Sequence, residues 1–341
     1  MKPIRWGILG CGDVTEVKSG PGFQKAEGSA LVAVMRRDAA NAKDYARRHG
    51  VPRWYSDADQ LIRDPEVDAV YVATPPGSHE LYAMKVLGAG KPCYLEKPMA
   101  RNASEAQRMV DAYAAKGVPL FVAYYRRAMP RFLMVRAMIE GNALGRIRAV
   151  SYRFADSQHL KRLDPVPWRF RPEESGSGIF LDLASHALDL LDFWLGPLTL
   201  IESDVRNTSG TYDVEDFVSA RLTAPRAESV WISFCHTSVP EDEFHIAGDN
   251  GNLRLTCFGK PTIQLTDKFG LACSFDVPNP PHIAQPMIQT VVNALQGTGT
   301  CESTGCSALR TQIIMDQVLH AYYGGREDNF WARPWPGSRR G

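Results

Sequence analysis

The sequence predicts an α/β protein: a doubly wound parallel sheet over residues 1–125, followed by a half, 126–325, built mainly on antiparallel strands. Three observations lead there. Short apolar runs alternate with helix-like segments through the first 125 residues, as parallel βαβ units require. A G-x-G turn, Gly10-Cys11-Gly12, closes the first apolar run, and a second run arrives at the βαβ distance. Beyond residue 200 the pattern changes to closely spaced strand-like runs separated by turn residues.

Composition bounds the reading. A chain of 341 residues with 44% hydrophobic and 23% charged residues is an ordinary globular protein of two domains. Lys plus Arg number 39 against 38 Asp plus Glu, which argues against partners recruited by bulk charge, nucleic acid or a membrane surface. The seven cysteines, at 11, 93, 235, 257, 273, 301 and 306, are scattered, and several lie in apolar runs. They read as reduced core cysteines of a cytoplasmic protein. Neither Cys235 with His236 and His245 nor Cys301 with Cys306 has zinc-ligand spacing, so no metal site is expected. The N-terminus has no secretory layout, and no apolar run reaches membrane-spanning length.

The elements follow in order. Residues 4–9 are a buried strand. Gly10 permits the tight turn after it, and Gly12, with Asp13 and Val14, opens a helix whose backbone amides suit a pyrophosphate. Thr15 stands where the dinucleotide fingerprint has Gly or Ala. Gly20-Pro21-Gly22 breaks the intervening helix. The second strand, 30–34, ends in Met35-Arg36-Arg37-Asp38, without the carboxylate that binds ribose hydroxyls in NAD enzymes. Arg36 and Arg37 suit a 2′-phosphate, favouring NADP(H) over NAD(H). The competing reading is a solvated helix start capped by Asp38. A helix at 39–49, a strand at 67–73 and the loop Thr74-Pro75-Pro76 come next, then His79 at the start of a helix to residue 90. The strand 93–95 runs into Glu96-Lys97-Pro98, which puts an acid and a base at a strand's carboxyl end. That is where open α/β sheets bind ligands. A helix at 104–116 and a strand at 120–124 complete this half, ending in Arg126-Arg127.

In the second half a helix is expected at 130–140 and a strand at 148–154. A polar loop with Gln158, His159 and Lys161 leads to Trp168-Arg169. After Gly176-Ser177-Gly178, residues Asp182, His186 and Asp189 fall at i, i+4 and i+7 of a helix, on one face. A carboxylate that orients an imidazole makes a general base with a partner; a buried, capped histidine is the alternative. Strands are expected at 217–222, 229–235, 244–247, 253–257 and 262–266, with a hairpin at Asp249-Asn250-Gly251. Aromatic and β-branched residues on both alternations of these strands predict self-association through the sheet. Helices at 285–295 and 308–323 precede a poorly ordered tail, 326–341.

With these pieces placed, the chain resembles the glucose–fructose oxidoreductase, inositol dehydrogenase and rhizopine catabolism family (Gfo/Idh/MocA) over nearly its whole length. The carriers are Gly7-x-x-Gly10-x-Gly12, Ala73-Thr74-Pro75-Pro76 with His79, Glu96-Lys97-Pro98, Arg126-Arg127, Trp168-Arg169, Asp182-x-x-x-His186 with Asp189, and Ile246-Ala247-Gly248-Asp249-Asn250-Gly251. The resemblance implies a Rossmann domain and an α+β domain whose large open antiparallel sheet makes a homodimer or homotetramer. It also implies a nicotinamide nucleotide and a sugar, polyol or related hydroxy substrate. Lys97 would then bond the reacting oxygen, His186 move the proton, and Asp182 orient the substrate or His186, with Arg127, Trp168 and Arg169 around the substrate. Gly10, Gly12, Asp13, Val14, Arg36, Arg37, Thr74, Pro75, His79 and Glu96 would lie along the nucleotide. A silent nucleotide-binding regulator and an NAD-dependent glycosidase are the alternatives; retention of both Lys97 and His186 speaks against the first.

Overall fold

Six short strands form one parallel sheet: β1 (Ile4–Leu9), β2 (Ser29–Met35), β3 (Arg53–Tyr55), β4 (Ala69–Val72), β5 (Cys93–Leu95) and β6 (Leu120–Val122). Their order, β3-β2-β1-β4-β5-β6, reverses direction between β1 and β4, the switch point of a doubly wound sheet. This is a computed structural model, and it describes residues 2–156, 162–236, 239–326 and 330. The sheet belongs to a unit made of residues 1–100, 104–129 and 280–309.

β4 is buried at all four positions, as a strand covered on both faces must be. Beneath it Trp6, Phe23, Tyr71 and Tyr94 pack with ring centroids 4.9 to 5.2 Å apart along the chain of contacts Trp6–Phe23–Tyr71–Tyr94. The first helix is short and broken, as the Gly-Pro-Gly run predicts: Asp13–Val17, then Gly20–Lys25 with Pro21 in its first turn. Gly20 is required there, because a Cβ would lie 2.2 Å from the Thr15 carbonyl oxygen and 2.4 Å from the Tyr45 hydroxyl. Residues 280–309, read from sequence with the second half, cluster with this sheet. Helix Gln285–Gln296 buries Met287, Ile288, Val291 and Val292, and a Cβ on Gly22 would lie 2.7 Å from the Ile288 Cδ1, so the helix packs directly on that glycine. Ser303 bonds Val122 through both its backbone and its hydroxyl, so β6 is not a bare edge. Apolar spacing shows that a helix has a buried face, not which sheet buries it.

The other unit comprises residues 101–103, 130–279 and 310–341. Its strands are β7 (Ile147–Asp156), β8 (Thr199–Arg206), β9 (Phe217–Ala224), β10 (Ala227–His236), β11 (Glu241–Gly248), β12 (Gly251–Leu255), β13 (Thr262–Asp267) and β14 (Ala272–Asp276). They form one sheet in the order β14-β13-β12-β11-β7-β10-β9-β8. Every pair is antiparallel except β7 with β10. β8 and β14 are strands beyond those expected. The β11–β12 hairpin turns through Asp249-Asn250, with Gly248 opposite Gly251. The inner face (Tyr152, Ile232, Phe234, Phe244, Ile246 and Leu253) is buried, and helix Ser185–Leu195 is buried at all eleven positions. Trp194 of that helix donates its indole N–H to the Phe132 carbonyl (3.0 Å) and meets the Phe244 ring edge-on.

The outer face differs from expectation. One cross-strand row reads Gln264, Arg254, His245, Ser151, Trp231 and Arg221. Its large aromatic is Trp231, 45% exposed; the rest is polar. Aromatic and β-branched residues do not fill both alternations, because Phe234, Phe244 and Tyr152 all point inward. The start of the tail is also different: Arg326 and Phe330 are buried, at 5% and 7% exposure, rather than loose. Trp331 and Trp335 lie outside the described residues.

Candidate active site

In the first unit, three loops leave neighbouring carboxyl ends. Gly10-Cys11-Gly12 follows β1, Thr74-Pro75 follows β4, and Glu96-Lys97 follows β5. Gly10 has φ +87°, and a Cβ there would lie 2.9 Å from the Thr74 methyl and 3.1 Å from the Ala73 carbonyl. Gly12 caps helix Asp13–Val17 in an extended conformation, and a Cβ there would meet nothing closer than 3.9 Å. Bare backbone faces outward at the start of a helix, which fits a nucleotide pyrophosphate. Thr15, the departure from the fingerprint, is buried and donates its hydroxyl to the Gly12 carbonyl (2.8 Å), so its bulk turns away from that approach. Asp13 is exposed and Val14 half-buried. Burial pushes the Cys11 thiol up to about 11, which makes it a core residue rather than a nucleophile.

At the tip of β2, Arg36 and Arg37 are exposed. Neither pairs with a carboxylate among the described residues, whereas Arg5, Arg47, Arg48 and Arg53 all do. Asp38 caps helix Ala39–His49, accepting from the Asn41 amide at 2.9 Å. Asp38 is thus occupied as a helix cap, and neither guanidinium has an acid partner among the described residues.

Glu96 accepts the Tyr71 hydroxyl and the Lys97 amide (3.0 Å), and burial pushes its carboxyl above the usual range. Tyr71 was not singled out by sequence; its signal is a lone polar atom in an otherwise aliphatic strand. His79 is fully buried. One ring nitrogen lies 2.7 Å from the Thr74 carbonyl, the other 3.1 and 3.2 Å from those of Pro98 and Met99. It thus ties the β4 loop to the β5 loop, with its ring committed to backbone. Burial outweighs these acceptors and holds its pKa down to about 4. The unfolded chain then binds a proton that the fold does not, so stability is lost as pH falls from 6.5 towards 4. The effect is about 3 kcal/mol. Glu96 and Glu215, raised by burial, act in the opposite sense. The expected result is therefore a difference: melts of His79→Gln show a weaker acid-side loss than wild type. Parallel curves for the two proteins between pH 6.5 and 4.5 would count against it.

The second unit brings together part of the expected substrate group. Asp182 sits in a wide π turn, Phe180–Ala184, that precedes helix Ser185–Leu195. Its carboxylate accepts from Arg169 Nε at 2.9 Å, and the Arg169 guanidinium lies 4.5 Å from the Trp168 ring centroid. His186 follows in the first turn of the α-helix, 3% exposed, with the Phe258 ring edge-on at 5.9 Å. The expected single face of Asp182, His186 and Asp189 is modified by the π turn: Asp182 is half-buried, and the other two are buried. Asp189 faces the Thr311 hydroxyl, and Asp192 forms a bidentate pair with Arg310. Arg127 is buried in the first unit, its guanidinium near the Glu302 carbonyl (3.4 Å). Gln158, His159 and Lys161 lie outside the described residues. Among the described residues there is no metal-binding cluster of His, Cys, Asp and Glu, and no helix long and apolar enough to cross a membrane.

A doubly wound sheet with a glycine cradle at its switch point, joined to an α+β unit, defines a Rossmann-type dinucleotide-binding oxidoreductase. Comparison with known proteins narrows this. A model of the oxidoreductase family, NAD-binding Rossmann fold, matches residues 4–124, and the GFO/IDH/MocA C-terminal domain matches 132–254. The chain is similar to oxidoreductase P35 of Formosa agariphila, 38% identical over 293 residues, covering 85% of this chain and 90% of the relative. It is also similar to 1,5-anhydro-D-fructose reductase of Ensifer adhaerens, 29% identical over 312 residues, with 88% and 91% covered. Among solved structures, the 3-ketoreductase KijD10 of Actinomadura kijaniata, in complex with NADP and TDP-benzene, superposes with a TM-score of 0.81. It shares 21% identity over 93% of this chain and 97% of that one. The chain belongs to the Gfo/Idh/MocA oxidoreductase family and is a nicotinamide-nucleotide-dependent oxidoreductase.

Proposed function

We propose that this enzyme transfers hydride reversibly between NADP(H), in preference to NAD(H), and a carbinol or carbonyl carbon of a sugar, polyol or related hydroxy compound. The observation that carries the reading is the alignment of Gly10–Gly12, Thr74-Pro75 and Glu96-Lys97 at three adjacent strand ends. A base positioned beside a nucleotide cradle is placed to act on the oxygen of a reacting carbon. When bound, the nicotinamide supplies the hydride acceptor or donor. Gly10, Gly12, Asp13, Val14, Thr74, Pro75 and Glu96 would hold the nucleotide, with Arg36 and Arg37 on the 2′-phosphate. The Lys97 ammonium stabilises negative charge developing on the substrate oxygen. His186 takes the hydroxyl proton in oxidation and returns it in reduction. Asp182, already bonded to Arg169, orients a substrate hydroxyl together with Arg169 and Trp168. Arg127 contributes from its buried position. The sugar class is supported by the anhydrofructose reductase relative. The test is a panel of aldoses, ketoses and polyols, including 1,5-anhydro-D-fructose, followed at the nicotinamide absorbance band. No absorbance change with any member would sink the substrate class.

Seven free cysteines fit a reducing, cytoplasmic setting. We also infer that the outer sheet face around Trp231 makes a homodimer or homotetramer. Light scattering should give a multiple of the 37.8 kDa chain mass, and Trp231→Glu should reduce it. A monomer mass for the wild type ends that inference.

A further inference from the structure

The Gly176-Ser177-Gly178 turn, which leads into the π turn carrying Asp182 and on to His186, is held at one end by a residue just past the last helix and at the other by Glu215, itself bonded to that helix. Arg326, just past helix Gly305–Tyr323, donates from Nη1 to the Gly176 carbonyl at 2.6 Å. Two residues beyond Gly176, the Gly178 amide is shared by both Glu215 carboxylate oxygens, at 3.0 and 3.1 Å, and Glu215 in turn accepts the Tyr323 hydroxyl. Arg326 and Glu215 are 5% and 3% exposed, and Tyr323 is 8% exposed. Buried charged groups this committed to backbone are costly to place unless geometry is their purpose. Gly176 itself cannot be replaced: its φ is +94°, and a Cβ would lie 2.6 Å from Leu181 and 2.7 Å from the Arg101 carbonyl oxygen.

The same end of the chain also holds residues 101–103, which begin four positions after Lys97. Asn102 donates its side-chain amide to the Arg326 carbonyl, Asp316 accepts the Ala103 amide at 2.6 Å, and Asp316 pairs with the Arg326 guanidinium. One buried arginine therefore fixes two segments: the one that follows Lys97 in sequence and the one that leads to Asp182 and His186.

We infer that Arg326, seconded by Tyr323 through Glu215, is a positioning residue for the Asp182–His186 segment, so that the C-terminal end of the chain governs turnover without touching the reacting atoms. This rests on the roles proposed for Lys97 and His186. The test compares Arg326→Met, Arg326→Lys and Tyr323→Phe in the full chain. The readouts are deuterium uptake of the peptide spanning 176–190, NADPH affinity by fluorescence titration, and kcat and KM for the substrate that the sugar and polyol panel selects. Expected are faster exchange in 176–190 and at least a tenfold fall in kcat for Arg326→Met, partial recovery in Arg326→Lys, and NADPH affinity within threefold of wild type. Tyr323→Phe, which removes one hydroxyl and little volume, should show the same signature more weakly and covers the case in which Arg326→Met does not fold. In a His186→Ala background, Arg326→Met should cost less than it does in the wild type, since only the placement of Asp182 remains to be lost. Unchanged exchange in both Arg326→Met and Tyr323→Phe overturns the geometric claim. Faster exchange with unchanged kcat overturns the positioning role. If His186→Ala alone keeps full activity, it is the proposed chemistry that fails, and the exchange result still decides the role of Arg326 in the fold.

Discussion

Lys97→Met and His186→Ala each lower kcat by about 10²- to 10⁴-fold, the range of a lost oxyanion donor or general base. The nucleotide still binds, because the cradle at Gly10–Gly12 is built from backbone that neither side chain shapes. On the proposed roles, Lys97→Met loses the donor to the reacting oxygen and His186→Ala loses the proton acceptor. Steady-state kinetics on the selected sugar, with NADP(H) titrated separately, measures both. Turnover at the wild-type level in either variant, with correct melting, would show that its side chain is not on the reacting oxygen.

Arg36→Ala with Arg37→Ala weakens NADP(H) by about 10²-fold or more and leaves NAD(H) nearly unchanged. A guanidinium on a phosphate is a charge-assisted bond worth about 1.5–3 kcal/mol, and the proposed function puts two there. The asymmetry follows from where the two arginines stand: exposed at the tip of β2, without a carboxylate partner among the described residues, beside an Asp38 already occupied as a helix cap. Fluorescence titration with each nucleotide reads the ratio directly. Equal affinities of the wild type for NAD and NADP would remove the preference, and the family assignment would be untouched.

Much of the first unit was legible because its signals are local. Gly10 is dictated by a positive φ and close backbone approach, and only glycine satisfies both. Helix 39–49 was readable to the residue, since Asp38 caps it and Gly50 ends it in a left-handed conformation. The Asp249-Asn250 hairpin was equally plain. His79 shows the limit. Its place at a helix start was visible, yet its bonds run to Pro98 and Met99, some twenty residues away in the loop after β5. No periodicity encodes that distance.

The amino-acid sequence alone determined the alternation of strands and helices, the glycine turn after β1 and the candidate site residues, because each depends on neighbours within a few positions. Tertiary structure decided the rest. It placed residues 280–309 with the parallel sheet, turned Tyr152, Phe234 and Phe244 of the large sheet inward, and set Asp182 in a π turn against Arg169. It also drew Arg326 out of an apparent tail into a buried network. These outcomes depend on which surfaces meet when apolar area is buried and polar groups find partners, and partners far apart in the chain leave no mark on local pattern.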